Sequence, residues 1–179
     1  MKSIIRLALI AAVAGAALAP AAGTAAAASP KTAIPGHPVV VWTNPSASGD
    51  GVSRVILEAV AGTGQVSALT SGDTTASCIM YAVNPLGWHI WEYTVYQRFL
   101  YNGTNITYVY TPTKTSNAYW GWYDAGSGNP AFYWISNPRS GYALGSYYFR
   151  HDVGDLHESN SGWVQADVRG TGSWSCSGA

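Results

Sequence analysis

The stretch HDVGDLHE, from His151 to Glu158, packs two histidines and three carboxylates into eight residues. Imidazole nitrogen with carboxylate oxygen is a zinc ligand set, and clustered carboxylate oxygens suit calcium. His151, Asp152, Asp155, His157 and Glu158 are therefore the candidate metal ligands. Their spacing does not strengthen the case. The stretch holds no HExxH, five residues separate the two histidines, and the acids lack the dense alternate-position spacing of an EF-hand loop. A solvated polar loop accounts for the same residues, and no cofactor is expected.

A second kind of chemistry is stacking. AYWGWYD (Ala118 to Asp124) and AFYWIS (Ala131 to Ser136) are dense in Trp and Tyr and poor in charge. Such rings present a large, stiff apolar area with a polar tip, suited to the apolar face of a sugar or to a protein surface. If the first segment is a strand, Trp120 and Trp122 share one face and Tyr119 and Tyr123 the other. Trp120 and Trp122 are the expected exposed rings, with Tyr119 and Tyr123 next, and Asp124, Asn129 and Arg139 are candidate polar neighbours. The competing role for these rings is core, since sandwich interiors absorb aromatics, but both faces of one strand are not easily buried.

Catalytic signatures are missing from the chain. It has no G-x-S-x-G elbow, no P-loop and no G-x-G-x-x-G fingerprint. Glu92, Asp124 or Asp167 could be assembled into a carboxylate pair for glycoside hydrolysis, yet nothing in their spacing makes them converge. A non-enzymatic role is expected.

The elements that must carry these residues begin after an N-terminal address. Lys2 and Arg6 precede an apolar run from Leu7 to Ala19, shorter than the ~20 residues that span a bilayer. Ala26-Ala27-Ala28 offers the small residues of a cleavage site before Ser29, so residues 1–28 read as a secretory signal peptide. The mature chain is expected outside the cell, with no membrane insertion after cleavage. The whole chain has nine basic and nine acidic residues; without Lys2 and Arg6, seven basic residues face nine acids, a net charge of −2. No Lys/Arg cluster occurs, which argues against nucleic acid and against electrostatic attachment to anionic lipid. Cys78 and Cys176 are the two cysteines, and in an exported protein such a pair reads as one disulfide.

Residues 29–38, with three prolines, read as a leader or mobile arm. From Val39 on, short runs punctuated by Gly, Asn and Pro suggest strands: VVVW, RVILEAVA, ASCIMYAV, the long Trp88 to Tyr110 segment, the two aromatic runs paired around DAGSGNP, YALGSYYFR and WVQADVRGTGSWSC. NPLG (Asn84 to Gly87) reads as a turn. Asn102-Gly103 predicts a two-residue hairpin turn that places Phe99 opposite Ile106, Gln97 opposite Tyr108 and Val95 opposite Tyr110. Trp91, Tyr93, Val95, Gln97 and Phe99 then form the core side of that hairpin.

QRFLYNGTNIT (Gln97 to Thr107), YWGWYD (Tyr119 to Asp124) and WVQADVRGTGSW (Trp163 to Trp174) resemble small secreted β proteins common in actinobacterial genomes. The resemblance implies secretion and a β fold, and no reaction. The combined expectation is an all-β chain: a single-domain antiparallel β-sandwich, or a partly open barrel, over residues 39–179 after the signal and the leader. Its expected role is non-catalytic binding of an extracellular polysaccharide or cell-wall polymer through exposed aromatics. The other reading is a factor directed at a secreted or surface protein, such as an inhibitor or an antagonistic toxin.

Overall fold

A computed structural model describes residues 30–60, 71–154 and 156–179. The expected signal peptide and Asp155 lie outside the described residues. Alternation of apolar and polar side chains becomes two facing antiparallel sheets, each with one side in the core. The first holds β2 (Val39–Thr43), β3 (Arg54–Val60), β4 (Gly72–Val83), β5 (His89–Tyr101) and β6 (Ile106–Val109) in that order, and β7 (Thr113–Ala118) also pairs with β5. The second runs β1 (Lys31–Ala33), β12 (Trp174–Gly178), β11 (Leu156–Arg169), β10 (Ser140–Val153) and β8 (Trp122–Asp124), and β9 (Ala131–Ser136) also pairs with β10. This is the expected β-sandwich, not a closed barrel.

Between the sheets the rings of β5 meet those of β10. Trp91 lies 4.8 Å from Phe149 and 5.1 Å from Tyr147, centroid to centroid, and all three are buried. Each large side chain so removed from water contributes about 1.5–3 kcal/mol. Tyr93 crosses the interior and donates its hydroxyl to the Gly128 carbonyl at 2.8 Å. Gly145 makes that passage possible, because a Cβ there would stand 2.3 Å from the Tyr93 oxygen. Cys78 of β4 and Cys176 of β12 form the expected disulfide, 98 residues apart in sequence, and it clips one sheet to the other.

Four expectations change. Within the supposed leader, Lys31–Ala33 is strand β1, paired with Gly178 to Cys176. The hairpin at Asn102-Gly103 closes through a four-residue loop, with Tyr101 opposite Ile106, Leu100 opposite Tyr108 and Phe99 opposite Val109. Two forces set that register. The Asn102 side-chain oxygen accepts from the Thr104 and Asn105 N–H groups, and the Ile106 N–H donates to the Pro138 carbonyl instead of to the hairpin. Tyr108 therefore faces water, while β5 keeps the expected core side. The two aromatic runs do not pair with each other; β8 and β9 lie end to end along β10. Finally, His151–Val153 and Leu156–Glu158 are no polar loop but the paired strand ends of β10 and β11.

Candidate functional site

At one end of the sandwich the β2–β3, β4–β5, β7–β8 and β10–β11 connections meet. Buried Asn84 shapes the β4–β5 turn by accepting the Leu86 and Trp88 N–H groups on its side-chain oxygen, both at 3.0 Å. Gly87 supplies the positive φ of 84° that the bend needs. Leu86 and Trp88 are thereby pushed outward, 70% and 51% exposed.

The β7–β8 turn carries the chain from one sheet to the other. Trp122 N–H donates to the Tyr119 carbonyl at 3.0 Å across a turn whose two central residues, Trp120 and Gly121, have φ of 56° and 84°. Such a turn favours Asn-Gly, because L side chains crowd their own backbone in that conformation. Trp120 is the only non-glycine with positive φ among the described residues, a conformation that costs on the order of 1–3 kcal/mol. Its indole stacks on Trp88 at 5.4 Å with 28° between planes, and it remains 56% exposed. With exposed Tyr119 beside them, the two rings form an apolar ledge.

Trp122 was expected on the same exposed face and is buried instead: the left-handed turn breaks the strand alternation, so its ring enters the core and its N–H donates to the Asp50 carbonyl at 3.0 Å. Beside it sits His151, also buried, 5.5 Å away ring to ring. A cleft of about 200 Å³ opens here, edged by Asn44, Ser48, His151, His157 and Glu158.

The other candidates are dispersed. His151 pairs with Glu158 and Asp152 with His157 across the hairpin, so successive residues point to opposite sides of the sheet. Strand alternation thus splits the supposed metal set. His151 turns inward, whereas Asp152 accepts from Tyr123 Oη, Arg150 Nη2 and His157 Nδ1 on the outside. The Tyr123 hydroxyl foremost, then His157, holds the Asp152 carboxyl down to about 2. That same bond raises the Tyr123 phenol. Among the described residues no three His, Cys, Asp or Glu side chains converge as metal ligands.

Asp124 is occupied as well. It caps its own loop by accepting the Gly126 and Ser127 N–H groups at 3.0 and 2.7 Å. Burial pushes its carboxyl up, but bonds from Ser116, Ser127 and Gly126 outweigh this and bring it to about 2. Asn129 is exposed in the same loop, and Arg139 lies beyond the opposite end of β10, ~40 Å from the ledge at 3.3 Å per residue. Trp88 and Leu86 are not among the expected site residues, since the sequence places Trp88 only at the start of the long strand segment and Leu86 in the NPLG turn; a Trp directly after a Pro- and Gly-bearing turn is the signal that could have found them. No protein family, curated protein or solved structure matches the chain.

Proposed function

We propose that this is an exported, non-catalytic binding protein that takes carbohydrate or cell-wall polymer on the Trp88–Trp120 ledge. One observation carries the reading: a tryptophan held in a left-handed turn with more than half its surface in water. Folding alone favours glycine or asparagine there, and backbone strain of this kind clusters at functional sites. The outer faces of the two indoles offer an apolar platform, and Asn44, Ser48 and Glu158 in the adjoining cleft supply hydroxyl partners. Export is supported by the signal-like N-terminus and the disulfide, and no described helix is long and apolar enough to cross a membrane. The protein-directed reading draws on Leu86, since an aliphatic side chain 70% exposed beside the rings suits a protein partner better than a sugar.

The test is depletion by insoluble cellulose, chitin, xylan and peptidoglycan, using the chain from Ser29 onward. Retention on one polymer that disappears in Trp88→Ala and Trp120→Ala, with circular dichroism unchanged, supports the ledge. Full recovery from all four polymers overturns polysaccharide binding there and leaves the protein-directed reading.

A further inference from the structure

A second feature lies on the outer face of the sheet that carries β10, about nine residues along β10 from the ledge end and so ~30 Å away. There the register lays polar side chains in rows. Asp167 of β11 sits between Tyr142 of β10 and Ser175 of β12; Gln165 stands opposite Ser177, and Thr32 of β1 follows. A depression of about 390 Å³ opens over them, edged by Thr32, Ile135, Asp167, Arg169, Ser175 and Ser177. That is within the size range of small-ligand sites.

The wall of this depression is built by a backbone irregularity. Ser140 pairs with Ser136 and Gly141 with Trp134, which leaves Ile135 as an extra residue on β9. Bulges of this kind re-aim one side chain, and here Ile135 stands 63% exposed at the edge of the depression. Gly141 keeps β9 close, since a Cβ there would meet the Phe132 ring at 2.3 Å. Tyr133 stacks on Tyr142 at 5.3 Å next to it.

The floor is an oriented acceptor. Asp167 Oδ1 accepts from Gln165 Nε2 at 2.7 Å and Oδ2 from Ser177 Oγ at 3.0 Å, so both carboxylate oxygens are fixed while each retains a lone pair. Arg169, two residues on and on the same face, balances the charge. One carboxylate beside one guanidinium discourages a bare cation and an anion alike. Two adjacent acceptors, several hydroxyls and an aliphatic wall favour a neutral ring with neighbouring hydroxyl groups.

We infer that this depression binds a neutral sugar unit, with the Asp167 carboxylate accepting hydrogen bonds from a vicinal hydroxyl pair and Ile135 covering the ring's apolar face. The inference uses none of the ledge residues and does not depend on the ledge binding polymer.

The experiment is proton–nitrogen correlation NMR of the disulfide-bonded protein, titrated with glucose, galactose, mannose, xylose and N-acetylglucosamine. Fully O-methylated methyl glucoside serves as the control without free hydroxyls. Expected are saturable shifts in residues 133–136, 165–169 and 175–177 with at least one sugar and none with the methylated control. Binding should weaken about tenfold or more in Asp167→Asn, as for loss of a charged hydrogen bond. Ile135→Ser should also weaken it, and Trp120→Ala should leave it unchanged. No saturable shift at these amides with any of the five sugars overturns the inference. So do shifts confined to the Trp88 and Trp120 indoles, equal response to the methylated control, or an unchanged affinity in Asp167→Asn.

Discussion

Two groups of aromatic rings in this protein have similar chemistry and opposite fates. Trp91, Tyr93, Tyr147 and Phe149 lie between the sheets, at most 3% exposed, whereas Trp88 and Trp120 stack at the sandwich end with half of each ring in water. The first group obeys the two-residue period of strands, so burial follows from backbone geometry and stabilises the fold. The second rides on turns, and Trp120 does so in a conformation that opposes folding. Aromatic content alone therefore says little about function; the backbone beneath the ring says which task it has.

The sharpest contrast is mutational. Trp91→Ala should cost about 3–5 kcal/mol in urea unfolding, because it empties a site packed from both sheets. The clamp between the layers ranks next. Replacing both cysteines by alanine should cost about 2–5 kcal/mol, since closing a loop near 100 residues is worth at most ~4.7 kcal/mol in chain entropy; the midpoint of thermal unfolding reads it.

Alkali probes the inner group more gently. Burial foremost, and then the negative charge of Asp124, push the Tyr93 phenol up to about 12 from an ordinary 10.0. Its folded value is raised, so the contribution is complete below pH 10 and is lost as the pH rises through about 12. Near-ultraviolet circular dichroism should fade over that window together with the appearance of phenolate absorbance. Fading complete below pH 10 would break this assignment.

The smallest effect on stability belongs to the ledge. Trp120→Asn relieves part of the left-handed strain of order 1–3 kcal/mol and forfeits the ring stack worth about 0.5–1.5 kcal/mol, so the two offset and stability should shift by less than about 2 kcal/mol. Polymer retention should vanish in the same variant. A loss of stability rivalling that of Trp91→Ala would erase the distinction between the two groups.

Much of the fold was legible because its determinants are local. Alternation from Trp91 to Phe99 marks a core face that the structure keeps, and the cysteine pair behind a signal-like N-terminus reads as the disulfide that the structure forms. The site was legible only in part: Trp120 and Tyr119 are exposed as expected, while Trp122 is not, because a single turn with positive φ resets the period. The HDVGDLHE residues illustrate the same limit, since nearness in sequence on a strand places neighbours on opposite faces.

By itself, then, the sequence determined the β class, the inward side of β5 and the cysteine pair, since side-chain period and composition act over a few residues. Only the tertiary structure decided the Tyr101–Ile106 register, the stacking of Trp88 on Trp120 and the depression over Asp167. Those depend on groups far apart in the chain: the Pro138 carbonyl that takes the Ile106 N–H, the separate β4–β5 and β7–β8 turns, and five strands laid side by side with one bulge. Interactions across such separations leave no periodic trace in the residues between them.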